Sequence, residues 1–222
     1  MVERPDVDEA SRKAFRRAVL AWFRRNGRRF PWRERAGRYS VLIGEILLQR
    51  TRGEAVAEVY EAFLRRWPTP ERLARAAPRS VAEVIRPLGL AKRAPLLVRL
   101  GRELVRLGRI PSDPKELIVL PGVGPYAAHA VPVFADGRPL PLVDWVVARV
   151  LRRYFGLPAD RRPNADRELW ALAQELVRPG RARELWLGVL DLGAAICRPK
   201  PRCAECPLRV GCAFAHSVGG SG

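Results

Sequence analysis

Two carboxylates, one glycine turn and one group of thiols are the residues of this chain whose types and spacing could do chemistry. Leu120-Pro121-Gly122-Val123-Gly124 puts two glycines around one apolar residue, directly before the helical run Tyr126 to Phe134. Glycine permits a tight turn and the close approach of a ligand, and the N–H groups at the following helix start suit a phosphate oxygen. Beyond a Gly/Pro-rich stretch (Gly137, Pro139, Pro141), Asp144 opens another apolar-periodic segment with Val146, Val147, Val150, Leu151 and Tyr154. Asp144 reads as an N-cap, and a capping carboxylate can also face a substrate. Glu45 stands in the apolar run 39–51, YSVLIGEILLQRT. An acid is seldom buried in such a run unless paired or functional, and burial would raise its pKa to suit a general acid. The plainer reading turns Glu45 to solvent or to an arginine. All four cysteines fall in the last 26 residues, as Cys197-x5-Cys203-x2-Cys206-x5-Cys212. That density argues for a metal centre over disulfides, and four thiolates suit either zinc or a [4Fe–4S] cluster.

The elements that must position these groups all read as helices. Residues 11–25 put Phe15, Ala18, Val19, Trp22 and Phe23 on one stripe, stopped by Gly27. Phe30-Pro31-Trp32-Arg33 turns the chain into the Glu45 helix. Residues 54–67 follow, with Val56, Val59, Tyr60, Phe63, Leu64 and Trp67 inward, then short helices near 70–76 and 79–86. A helix over 93–107 has Leu96, Leu97, Leu100, Leu104 and Leu107 as its core face. Segments 113–119 and 126–134 flank the glycine turn. Helices over 165–177 and 183–196 come last, and Ser217–Gly222 reads as a frayed tail.

With 222 residues, of which 48% are hydrophobic, the chain can bury a real core. Its formal charge of +18 is spread along the sequence and points to a polyanionic partner, nucleic acid before membrane. No apolar run long enough to span a bilayer and no signal-peptide pattern is present, so a soluble cytoplasmic protein is expected. Lys13, Lys92, Lys115 and Lys200 are the only lysines. The other cations are arginines, whose planar fork suits phosphate.

Followed over most of its length, the chain resembles the helix-hairpin-helix (HhH-GPD) DNA glycosylases of the endonuclease III superfamily. It is most similar to their archaeal-type thymine/uracil mismatch and adenine glycosylase branch. The residues that carry the resemblance are the hairpin 120–124, the Gly/Pro-rich loop before Asp144, Glu45-Ile46-Leu47-Leu48-Gln49-Arg50-Thr51, and the Cys206-Pro207-Leu208 run near the chain end. It implies an all-α, two-lobed fold: a helical barrel lobe of residues 30–137 ending with the hairpin, and a cluster lobe of 1–29 with 138–222. Glu45 and Asp144 would face each other across a DNA cleft. It implies a [4Fe–4S] cluster in preference to zinc on Cys197, Cys203, Cys206 and Cys212, although the first gap holds five residues where the family usually has six. Gly122, Val123 and Gly124 would grip a DNA phosphate. Leu90, in Leu88-Gly89-Leu90-Ala91-Lys92-Arg93-Ala94, matches the apolar wedge pushed into the base stack, with Arg93 beside it; read alone, Leu90 is a core leucine. Gln49 or Arg50 matches the residue that enters the gap, Gln49 being nearer in register. Trp32 falls where relatives have a Pro-Trp near the base pocket, and a buried structural tryptophan is the alternative.

The same resemblance bears on the reaction. Tyr126 stands where endonuclease III has its attacking lysine, and a phenol cannot form a Schiff base. A monofunctional glycosylase on double-stranded DNA with a mismatched or damaged base is therefore implied, acting as a monomer. Asp144 would stabilise an oxocarbenium-like sugar, Glu45 would assist base departure or position water, and Tyr126 would line the pocket. Thymine or uracil opposite guanine is the substrate that Tyr126, Asp144, Phe30-Pro31-Trp32-Arg33 and Gly89-Leu90 favour. The alternatives are adenine opposite 8-oxoguanine, whose glycosylases carry an additional C-terminal recognition domain, an oxidised pyrimidine, or a DNA-binding module without catalysis. Trp145 departs from the family, where small or polar residues follow the aspartate.

Overall fold

The computed structural model describes residues 7–35, 37–49 and 51–219, with side chains described as far as Ser217. Among these residues there is no strand, in keeping with the all-α expectation. The helices are α1 (Glu9–Asn26), α2 (Pro31–Glu34), α3 (Arg38–Leu47), α4 (Gly53–Arg66), α5 (Pro70–Ala74), α6 (Pro78–Ile85), α7 (Ala94–Leu107), α8 (Pro114–Leu117), α9 (Pro125–Asp136), α10 (Trp145–Phe155), α11 (Arg167–Leu176), α12 (Ala182–Ala195) and α13 (Ala213–Gly219). They divide into two compact units, Arg29–Asp136 and Met1–Arg28 with Gly137–Gly222.

In the unit Arg29–Asp136, α3 is buried along its whole length from Val41 to Leu47. A helix apolar all round must be covered on every side; α2, α4 and α9 cover this one. α4 turns Val56, Val59, Tyr60, Phe63 and Leu64 inward, as its period predicts. α5 crosses α7 at Gly101, where a Cβ would lie 2.7 Å from the Ala74 nitrogen. Two expectations need correction. Leu107 is exposed, because it is the final residue of α7, where the chain turns away at Gly108; periodicity marks a face but not where its packing partner stops. The segment expected as a helix over 113–119 is helical only from Pro114 to Leu117, and Ile118 and Val119 stand in the turn, Val119 78% exposed.

The other unit joins distant parts of the sequence. α1 is capped by Asp8, whose carboxylate accepts the Ser11 N–H at 2.7 Å, and it lays Val19 against α12 at Gly188 and Phe15 against the Tyr154 and Phe155 rings of α10. The fully buried Asp191 of α12 accepts both the backbone N–H and Nε of Arg28, each at 2.8 Å. Arg12 reaches Glu175 of α11 at 2.5 Å. α10 packs on α12 so closely that a Cβ on Gly193 would sit 2.3 Å from Val146 Cγ1. A second buried pair, Arg152 with Asp166 at 2.6 Å, ties α10 to the start of α11. The expected frayed tail is corrected in part: residues 213–219 form α13, which packs on α10, and only 220–222 lie outside the described residues.

Candidate active site and cysteine loop

The hairpin is α8, the turn 118–124 and α9. Leu120 N–H donates to Leu117 O and Val123 N–H to Leu120 O, each at 3.1 Å, so the turn folds on its own backbone. Gly122 takes φ +82°, and a Cβ there would meet Leu96 Cδ2 at 2.9 Å, so no other residue fits this corner without strain. Val123 is buried and anchors the turn. The N–H groups of Gly122 and Gly124 donate to no protein acceptor among the described residues. Pro125 opens α9, where a missing N–H costs nothing.

Three of the predicted DNA-contacting residues meet at this turn. Gln49 follows α3 and donates from Nε2 to the Gly122 carbonyl at 3.1 Å. Its Oε1 accepts from Arg93 Nη1. One amide thus ties the end of α3 to the hairpin and to the loop ahead of α7. Arg50 lies outside the described residues. Leu90 is 9% exposed, within the core rather than at a tip.

Glu45 is 6% exposed on α3, and Tyr126 lies half-buried on the first turn of α9, the helix packed on α3. One turn on from Tyr126, His129 Nδ1 donates to the Pro125 carbonyl at 2.9 Å, and burial lowers its pKa against the opposing effect of that hydrogen bond. The sequence reading passed over His129; its i+3 spacing from Tyr126 was the available signal. Trp32 is buried, stacked on Phe30 at 4.6 Å and set edge-on to Tyr60 at 5.8 Å. What surrounds it is packing, including Gly44, whose missing side chain makes room for it.

Asp144 belongs to the other unit. The loop that carries it is pinned by Leu142 and Val143, both buried, and by Trp186 Nε1 donating to Leu140 O at 2.9 Å. Its Oδ1 accepts the Val147 N–H at 2.7 Å and caps α10. Burial pushes this carboxyl above the usual aspartate range, against the N–H groups of Val147 and Val146 and the charge of Arg149, which favour the ionised form. The capping reading and the functional reading of Asp144 are therefore compatible in one side chain. Arg149 points from the same helix to Gly193 O (3.1 Å) and Cys197 O (2.7 Å).

Cys197, Cys203, Cys206 and Cys212 are free thiols that line one small apolar cavity with Arg153, Ile196, Arg209 and Phe214. Burial pushes the Cys206 thiol up to about 11, and the other three thiols act in the same direction. Arg153 is a support the sequence reading missed. It donates to Cys197 Sγ (3.5 Å), Arg198 O (2.6 Å) and Pro199 O (3.0 Å), and lies over the Phe214 ring at 4.5 Å. Among the described residues, no three Cys, His, Asp or Glu side chains converge closely enough to hold one metal ion. Four thiols around a common cavity are a donor set that suits either zinc or an iron–sulfur cluster. No helix among the described residues is long and apolar enough to cross a membrane.

Residues 43–178 match the HhH-GPD superfamily base excision DNA repair protein family. The thymine/uracil-DNA glycosylase of Pyrobaculum aerophilum is 44% identical over 202 residues, 87% of this chain and 88% of that protein. The adenine DNA glycosylase of Homo sapiens is 35% identical over 218 residues, 92% of this chain but 40% of that protein. The solved structure of a thermostable thymine-DNA glycosylase superposes with a TM-score of 0.90 at 34% identity, covering 96% of this chain and 100% of that one.

Proposed function

This chain belongs to the HhH-GPD superfamily of base excision DNA repair proteins, and from that membership we propose that it is a monofunctional DNA glycosylase removing thymine or uracil opposite guanine. Tyr126 is the observation that carries the reading. It stands two residues past Gly124 on the first turn of α9, where a lyase of this superfamily would present lysine. The likeness to a thymine/uracil-DNA glycosylase at 44% identity, against 35% for an adenine glycosylase, supports the choice of base.

In this scheme the hairpin amides of Gly122 and Gly124 hold a phosphate of the damaged strand. Leu90 would serve as the wedge, and the extruded nucleotide reaches Asp144. The N-glycosidic bond breaks with its electron pair leaving on the base, and Glu45 assists that departure or positions water. Asp144 stabilises the sugar cation. Water then bonds to C1′, and the proton it gives up ends on the departed base, so that the protonated base and the abasic sugar are the products. Cys197, Cys203, Cys206 and Cys212 would hold a [4Fe–4S] cluster, which when bound supplies four iron–thiolate bonds that cross-link the loop. Iron and acid-labile sulfide in equal amount, rather than one zinc per chain, is the expected analysis.

Single-turnover base release on duplexes with T·G, U·G and adenine opposite 8-oxoguanine tests the function. Release of T and U, with strand breaks only after alkali, is expected. Release of adenine alone would replace the substrate, strand breaks before alkali would replace the monofunctional chemistry, and no release from any duplex would reduce the chain to a binding module.

A further inference from the structure

Trp145 has no place in the scheme above, and nothing in the packing of its unit accounts for it. Of the six tryptophans in the chain, it alone is exposed, at 67%. Trp32, Trp67 and Trp186 are buried, and Trp170 donates its indole N–H to Pro163 O at 3.0 Å. The Trp145 indole has no hydrogen-bonding, ring or cationic partner among the described residues. Tryptophan is on average one of the more deeply covered side chains, and a large bare aromatic surface usually marks contact with something else.

Its mounting is rigid. Trp145 is the first residue of α10, held by the Asp144 cap and followed by the buried Val147 and Ala148. The helix is set against α12 at Gly193, where there is no room for a methyl group. The backbone that carries the indole is thus fixed, and only its two side-chain torsions remain to be ordered on binding, which favours its use as a recognition surface. Consecutive Cα atoms are about 3.8 Å apart, so a nucleoside whose C1′ meets Asp144 lies within reach of the neighbouring indole. Arg149, the nearest cation along the helix face, is committed to Gly193 O and Cys197 O. The group offered to solvent beside Asp144 is thus a flat apolar plate, and what such a plate takes in a strongly basic DNA-acting protein is the flat apolar face of a nucleotide.

We propose that Trp145 is a nucleotide-contacting residue, its indole lying against the base or the deoxyribose of the nucleotide brought to Asp144 and screening it from water. This rests on the reading of Asp144 as the group that faces the scissile sugar. It places in this chain an aromatic cover at a position where the family usually has a small or polar residue.

The test uses the full chain as wild type, Trp145→Phe and Trp145→Ala, with three duplexes. One carries 2′-fluoro-2′-deoxyuridine opposite guanine, which keeps its base; one carries a tetrahydrofuran abasic analogue opposite guanine; one is fully paired. The difference in emission between wild type and Trp145→Phe isolates Trp145 from the other five indoles. That difference is expected to be quenched by the fluorinated duplex and little changed by the paired one. Quenching by the fluorinated duplex alone assigns the contact to the base, and equal quenching by the abasic duplex assigns it to the sugar. Trp145→Ala is expected to lower the preference for the fluorinated over the paired duplex by about tenfold, with Trp145→Phe restoring most of it. Emission unchanged with all three duplexes, equal quenching by the paired duplex, or a wild-type preference in Trp145→Ala would overturn the proposal. Binding is read without turnover, so failure of Trp145 to respond is distinct from failure of the wild type to release a base.

Discussion

Asp144 does two things with one carboxylate, and its neighbours predict how they separate. Asparagine caps a helix as well as aspartate does, so Asp144→Asn should unfold in urea at a midpoint no lower than that of the wild type. It cannot stabilise a cation, so single-turnover base release should fall by about 10²-fold or more. The raised carboxyl sets the pH dependence. If the ionised form is the active one, release climbs with pH along a limb lying above the ordinary aspartate value of 3.8. Because the folded state holds this proton to higher pH than the unfolded chain, ionising Asp144 costs stability as pH rises through the folded value. Asp144→Asn should remove that loss. An acid limb at or below the ordinary value would contradict the burial argument. The cap was legible in the sequence, since an aspartate ahead of an apolar-periodic run has few other readings. The elevated pKa was not, because it depends on what the fold lays over the side chain. Gln49 shows the same division: a polar residue closing an apolar helix is visible, but its acceptor, the carbonyl of Gly122, is 73 residues away.

Among the elements, the pair α10 and α12 is the one whose spacing has least tolerance. Gly193→Ala forces a methyl group into Val146, which should cost about 1–3 kcal/mol in urea unfolding. Val146→Ala in the same chain should recover part of that loss, giving a non-additive pair; strict additivity would mean the helices simply move apart. Gly122→Ala combines a positive φ with a contact on Leu96 and should cost about 1–3 kcal/mol. It should weaken duplex binding beyond what the stability loss explains. Most helices could be placed from the sequence because each shows an apolar period over several turns, as α4 and α10 do. What escaped was short or terminal: α13 is seven residues long and carries no such stripe, and the exposed Val119 looked like a helix interior because apolar residues surround it in sequence. Gly193 could be read only as a weak spot in a helix; the approach it permits is a property of two helices.

For the molecule as a whole, the charge of +18 predicts duplex affinity that falls steeply with salt, by about 0.9 decade per decade of salt for each phosphate engaged. Equilibrium binding between low and physiological salt checks this, and a flat response would show that the charge serves some other end. The buried Asp191 should matter as much to folding. Asp191→Ala removes the carboxylate that accepts the Arg28 backbone N–H and Nε and should cost about 1–3 kcal/mol, read as a lower urea midpoint. That such a pair exists could not be seen in the sequence, where its members lie 163 positions apart. The same separation, repeated between Arg12 and Glu175, has a consequence for synthesis. Residues Arg29–Asp136 are continuous and can close as they leave the ribosome, whereas α1 emerges ahead of them and finds its seat on α12 only after more than 150 further residues have been made. At about 5–20 residues per second, its apolar stripe waits roughly 8–30 s for that seat. The apolar face of α1 is thus open to a chaperone while the rest of its unit is being made.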